Sequence, residues 1–460
     1  MSSSAKYSAT ELPFLDLSEA SRAVQKKEVS PVELTQACLA RIERLNPKLN
    51  AFITVTDTAA LEAARQAEAE IARGEWKGPL HGIPLAVKDL IETAGVKTTA
   101  ASTVLKDHVP TADAEVIRRL KSAGAILLGK LNLHEFAYGG SGIIGQFGPA
   151  RNPWKTAHVT GGSSSGSAAA VAACLCYGAI GTDTAGSIRL PAACCGITGL
   201  KPTYGLVSTR GVIPLSWSLD HVGPMARTAA DAALMLQAIA AYDPQDVCSQ
   251  KFPPVYYPSA IEEGTAALRL GVPRDFWSEI DGEIKHAVDA AVAALGKITA
   301  GTQDIELSTD TDRTLVRCEA YAYHQKYLPQ HEQDYDPETL RRIRSGADVT
   351  VAQYIRAQRE LLRQRRQILH LFERVDLILT PTTPVLAPTL AELQSAPEQL
   401  RNKEMVMLRN TRPFNVYGLP SISLNCGLSK SGLPIGLQIT GAPGTEGTVL
   451  ALTHAYQKQS

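Results

Sequence analysis

The run Gly161-Gly162-Ser163-Ser164-Ser165-Gly166-Ser167, leading straight into the alanine-rich residues 168–176, constrains this chain more than any other feature. A glycine/serine loop ahead of a helix gathers backbone N–H groups at the helix N-terminus, where they suit an anion or an oxyanion. Residues 168–176 read as a buried helix, because side chains this small allow close packing against neighbours. As a phosphate loop, the run lacks the Gly-Lys-Ser/Thr ending. As a nucleophile elbow, Gly162-x-Ser164-x-Gly166 fits by letter, but Thr156-Ala157-His158-Val159-Thr160 makes a poor preceding strand. A purely structural turn also accounts for the segment taken alone.

Around this loop, apolar runs alternate with helical periodicities. Residues 83–87 and 125–129 read as buried strands, with a helix ending near Lys121 between them. Ser30-Pro31-Val32-Glu33 supplies an N-cap, a first-turn proline and a capping-box glutamate. Leu34, Cys38, Ile42 and Leu45 then recur at helical spacing until Asn46-Pro47, where the helix is expected to stop. Another helix covers 58–73. Residues 228–372 read as mainly helical, most clearly over 351–372. There Val351, Ile355, Leu362, Leu369 and Phe372 share one side, and Arg359, Arg363, Arg365 and Arg366 decorate a solvated face. Residues 377–379, 421–424 and 435–439 look like late strands of one sheet. The pattern predicts an α/β fold: a single large domain with a central mixed β-sheet covered by helices on both faces. The domain is expected over 12–458, with a core at about 60–230 and 375–458. A variable helical middle at about 245–375 is expected to act as an insertion or cap, and residues 1–11 to be disordered.

Lys+Arg and Asp+Glu both number 46, so no net charge attracts nucleic acid or an anionic membrane. Residues 1–11 have no apolar core and read as neither secretory signal nor anchor. The eight cysteines include no CxxC pair, which argues against zinc or redox work and for small buried hydrophobes in a reducing, cytoplasmic setting. No cofactor and no metal are expected.

Two further segments bear on chemistry. In Gly181-Thr182-Asp183-Thr184-Ala185-Gly186-Ser187-Ile188-Arg189-Leu190-Pro191, small residues flank a serine and offer consecutive N–H groups beside its hydroxyl. That is what acyl transfer needs: a nucleophile and an oxyanion hole from one turn. In Gly82-Ile83-Pro84-Leu85-Ala86-Val87-Lys88-Asp89, a lysine closes an apolar strand. Burial would favour its neutral form and make it a base, although such a lysine is more often a surface or ion-pair residue.

Together the three segments resemble the amidase signature family. The resemblance rests on Gly161-Gly162-Ser163-Ser164 with Ser167-Ala168-Ala169-Ala170-Val171, on Asp183-Thr184-x-Gly186-Ser187-Ile188-Arg189-x-Pro191-Ala192, and on Gly199-Leu200-Lys201-Pro202-Thr203-Tyr204-Gly205. Arg151-Asn152-Pro153-Trp154, Asp220-His221-x-Gly223-Pro224 and Gly432-Leu433-Pro434-Ile435-Gly436-Leu437-Gln438 extend it. It implies Ser187 as nucleophile, Ser163 as bridging serine after a cis Gly162–Ser163 peptide, and Lys88 as general base. It also implies an oxyanion hole from the N–H groups of Thr184, Ala185, Gly186 and Ser187. Ser164, Asp183 and Arg189 would hold the loop and the nucleophile turn in register, Asp183 pairing with Arg189. No histidine is then needed; His134 reads as a helix-surface residue and His221 as part of a turn.

The chain departs from its relatives at Ser165 and Ala185, where many carry glycine. Ala185 would be disfavoured if its position needed a positive φ. After Tyr138-Gly139, the glutaminase subunits of tRNA-dependent amidotransferases usually carry a polar stretch; here Gly140-Ser141-Gly142-Ile143-Ile144 follows. Residues 409–415 lack the acid expected for an amino-acid amide. Tyr138, Gly139, Gly140 and Ile143 are therefore expected to line a mouth for an apolar or aromatic acyl group. The expected activity is amide hydrolysis through an acyl-enzyme by a stand-alone monomer or homodimer, with esters and carbamates as further small-molecule substrates. The alternative is the glutaminase subunit of an amidotransferase.

Overall fold

The computed structural model describes residues 7–307 and 312–459. Eleven strands form a single sheet: β1 Phe52–Val55, β2 Pro84–Lys88, β3 Ile126–Leu131, β4 Gly178–Asp183, β5 Thr198–Lys201, β6 His221–Ala226, β7 Leu270–Pro273, β8 Thr302–Ile305, β9 Leu377–Pro381, β10 Ser421–Leu428 and β11 Pro434–Gly441. Their spatial order is β1-β3-β2-β4-β6-β5-β10-β11-β9-β7-β8. Pairs β3/β2, β2/β4, β9/β7 and β7/β8 are parallel and the rest antiparallel, so the sheet is mixed, as expected. Every residue of β2, β4, β6, β9 and β11 is buried. Because successive strand residues point to opposite faces, such continuous burial requires helices on both.

Several local expectations hold and others shift by a physical cause. Ser30 and Glu33 form the capping box that opens helix Pro31–Leu49. The helix does not stop at Asn46-Pro47 but runs to Leu49 and ends at left-handed Asn50. A proline in the last turn removes little of the hydrogen-bond ladder. The middle is not only helical: β7 and β8 extend the sheet beyond β9 at one edge. Helix Val351–Gln367 turns its expected apolar stripe outward, with Val351 75% and Leu362 56% exposed, and buries Ala357 and Leu361 instead. Its polar anchors decide the rotation. Gln358 donates to Ser218 Oγ, Tyr354 to Glu319, and Arg365 to the carbonyls of Val416 and Ser218 while stacking on Tyr204. Arg365 thus leaves the solvated face expected for it. Of the segment expected to be disordered, residues 1–6 lie outside the described residues; Ser8 to Glu11 forms a turn closed by Ser8 and the Glu11 carboxylate.

Candidate active site

The site forms at the C-terminal ends of the parallel strands β2 and β4, the edge of an open sheet where ligands bind. Register places Val87 beside Ile180, so Lys88 ends β2 next to Thr182 and Asp183 at the end of β4. Lys88 is fully buried, and its Nζ lies 2.7 Å from Ser163 Oγ and 2.8 Å from Thr182 Oγ1. Burial pulls its pKa from 10.5 to about 7, opposed by the charges of Asp183 and Asp220. A neutral amine has two N–H bonds and one lone pair. Thr182 can take an N–H while the lone pair faces the Ser163 hydroxyl.

The Gly162–Ser163 peptide is cis. Ser164 stitches this loop to the turn that carries Ser187: its N–H donates to Ser187 O, and its Oγ donates to Thr182 O and accepts from Thr182 N. Helix Ser165–Ala172 follows, buried along its first seven residues. Ser165 fits where relatives have glycine, its Oγ reaching Asn132 O.

Asp183 organises the turn that carries Ser187. Its carboxylate accepts from Gly186 N at 2.7 Å, Ile188 N at 3.1 Å and the guanidinium of Arg189 at 3.0 Å. Asn415 Nδ2 adds a further donor at 2.8 Å. Burial alone would raise this carboxyl; the Arg189 charge and these donors hold it well below the usual range. Arg189 is itself fully buried and also donates to Thr411 O, Gln438 Oε1 and Asn415 Oδ1. Gly186, at φ +136°, has Thr411 Oγ1 2.0 Å from where a Cβ would sit, so only glycine fits. Ala185 has no positive φ, which removes the objection to alanine there.

One expected oxyanion donor is corrected. Gly186 N–H is already spent on Asp183. Among the described residues the N–H groups of Thr184, Ala185 and Ser187 donate to nothing, and Ser187 Oγ makes no hydrogen bond. These groups line a small cavity of about 30 Å³ together with Tyr138 and Gly139. Gly140 spends its carbonyl on Gly162 N, and Ile143 packs against the apolar cluster of Ile144, Val159 and Leu190 that also holds Leu408 of the cavity wall. The remaining cavity wall is Leu215, Val316, Met405 and Leu408 with Arg313, Arg401 and Arg412, and no carboxylate lines it among the described residues.

Sequence reasoning missed Thr182, Asp220, Asn415 and Gln438. Asp220 accepts from Thr184 Oγ1 at 2.5 Å and from Leu215 N and Ser216 N; burial lifts it to about 6. Gln438 had a usable signal: one long polar side chain in the otherwise buried strand β11. The two weighed histidines also moved. His134 is wholly buried rather than on a helix surface, with burial lowering it to about 3. His221 opens strand β6 rather than a turn, its Nδ1 facing Leu219 O and Asp183 O. Neither reaches Ser163 or Ser187 by a hydrogen bond between side chains.

The Amidase family profile matches residues 33–450. One of the subunits of the glutamyl-tRNA(Gln) amidotransferase of Moorella thermoacetica is 39% identical over 98% of this chain and 97% of its own length. The structure of native peptide amidase from Stenotrophomonas maltophilia superposes with a TM-score of 0.82 at 31% identity, covering 97% of this chain and 98% of that one. A structure from a vestigial protein complex tied to the evolutionary origins of an s-triazine catabolic enzyme gives 0.89 at 32% identity, covering 97% and 99%.

Proposed function

This chain belongs to the amidase family, and on that premise we propose that it is a stand-alone serine hydrolase cleaving amide C–N bonds through Ser187, Ser163 and Lys88. Neutral Lys88 takes the proton of Ser163 as Ser163 takes that of Ser187. Ser187 Oγ bonds to the carbonyl carbon, and the developing oxyanion receives the N–H groups left undirected around Thr184, Ala185 and Ser187. The proton returns through Ser163 to the leaving nitrogen, the C–N bond breaks, and an acyl-enzyme remains. Water then repeats the route, its proton passing to Ser187 as the acid departs. Esters and carbamates fit the same chemistry.

The observation that carries this reading is an amine walled off from solvent and held 2.7 Å from Ser163 Oγ. The apolar wall of Leu215, Val316, Met405 and Leu408 supports an acyl group with apolar parts. The test is a fluorophosphonate probe with 4-nitroanilide hydrolysis by the purified chain. Ser187 should label, and Lys88→Ala should cut both labelling and turnover by orders of magnitude. Near-wild-type rates for Lys88→Ala across neutral and alkaline pH would sink the relay.

The second reading, a glutaminase subunit of a tRNA-dependent amidotransferase, is favoured by the 39% identity to a component of such an enzyme over almost the whole chain. Against it stands the cavity. The α-ammonium of glutamine calls for a carboxylate, and none lines the wall among the described residues. Glutaminase activity appearing only with two added subunits would favour this second reading; anilide hydrolysis by the chain alone would favour the first.

A further inference from the structure

We propose that the amide cleaved at Ser187 carries a carboxylate, bound by Arg313 and Arg401 on the wall of the same cavity. The proposal rests on Ser187 being the nucleophile and adds the charge of the substrate. Arg313 is only partly exposed, yet among the described residues its guanidinium meets just the thioether of Met405, 3.2 Å from one nitrogen. A guanidinium has five donors and a thioether is a weak acceptor, so most of the fork has no protein partner among the described residues. Of the other arginines enclosed in the fold, Arg189 meets Asp183 and Arg210 meets Glu115 and Asp243, while Arg365 is satisfied by the carbonyls of Val416 and Ser218.

Arg401 has a carboxylate, but a shared one. Glu404 lies 3.2 Å from Arg401 and 2.7 Å from Arg342, and also accepts from Ser141 Oγ. Arg342 has Glu338 as a second partner, so among the described residues Glu404 is the one carboxylate paired with Arg401, and the cavity wall, with Arg313 and Arg412 beside it, keeps a positive excess. Arg401 also lies over the ring of Tyr138, its guanidinium carbon 5.7 Å from the centroid. With no acid on the wall among the described residues, a cationic substrate is repelled and a neutral one gives the Arg313 fork no anion. A carboxylate satisfies it through parallel N–H···O bonds. The fitting class is the half-amide of a short dicarboxylic acid, or an amide with a carboxylate at similar reach from the scissile carbonyl.

The test compares glutaryl mono-4-nitroanilide with pentanoyl 4-nitroanilide, which match in chain length and differ in charge. Wild type should prefer the glutaryl substrate in kcat/KM by about tenfold or more, and Arg313→Met should bring the ratio close to one while Arg313→Lys retains part of it. Glutarate should slow fluorophosphonate labelling of Ser187 in wild type but not in Arg313→Met, a readout independent of turnover. Equal use of both substrates, or a preference and protection that survive Arg313→Met, overturns the proposal while Ser187 labelling leaves the hydrolase reading intact. Absence of labelling in folded wild type removes the hydrolase reading and this proposal with it.

Discussion

Replacing Lys88 with Met nearly preserves volume while removing the charge, and it should raise stability at low pH as it abolishes activity. Burial takes the Lys88 pKa from 10.5 to about 7. Between those values the unfolded chain holds a proton that the folded chain has released, so wild-type stability rises with pH across that window. Below pH 7 both states carry the proton and the full penalty applies, about 5 kcal/mol at 1.36 kcal/mol per pH unit. Methionine strands Ser163 Oγ and Thr182 Oγ1, which lose their 2.7 and 2.8 Å partner, at a cost of about 1 kcal/mol each. The variant should therefore exceed wild type by about 3 kcal/mol at pH 6, match it near pH ~9, and fall below it by about 2 kcal/mol above pH ~10.5. Urea unfolding of both proteins from pH 6 to 11 measures the difference. Two curves that run parallel over this range would mean an ordinary, solvated lysine and would refute the reasoning behind the base.

The same titration governs rate: because the neutral amine is the active form, kcat/KM should climb tenfold per pH unit below about 7 and level off above it. A steady-state pH profile without that limb contradicts it. Asp183→Asn leaves the fully buried Arg189 guanidinium without its anion and should cost about 3–5 kcal/mol, read by denaturant unfolding. Gly186→Ala forces a Cβ to 2.0 Å from Thr411 Oγ1 and should suppress Ser187 labelling, whereas Ala185→Gly, at a position without positive φ, should leave labelling within about threefold of wild type.

The sheet was legible where a strand is a continuous apolar run, such as 84–87 and 377–379, which admits few other placements; β4 and β6 are equally buried but carry glycine, proline or polar residues and went unread. Glycine and serine spacing likewise marked the loop of Ser163 and the turn of Ser187. What escaped the sequence depends on contacts between distant segments. Val351, Ile355 and Leu362 form a regular stripe, yet Gln358 and Arg365 find partners near Ser218 and Val416, and those bonds set the helix rotation. Ile143 and Ile144 pack with Val159 and Leu190 into the apolar cluster that holds Leu408, a contact the sequence could not show. Arg313 and Arg401 could not be attached to the site from sequence, since they reach Ser187 only through folding of segments over a hundred residues downstream.

The arrangement around Asp183 explains why so many polar groups are buried beside Ser187, the proposed nucleophile. A turn that must aim some N–H groups at a reacting oxygen has to keep others from competing for it. Asp183 takes the N–H groups of Gly186 and Ile188, and Arg189 neutralises the carboxylate that results. Asn415 and Gln438 then satisfy what Arg189 and Asp183 still expose. A buried pair of this kind adds little net stability over apolar residues of the same size. Its use is directional: it holds the peptide plane between Ala185 and Gly186 so that Gly186 N points away from the cavity, leaving the N–H groups of Thr184, Ala185 and Ser187 without a protein acceptor. Those unclaimed donors beside an unbonded hydroxyl are the strongest local argument that charge develops here during reaction, because a resting protein gains nothing by leaving them unpaired.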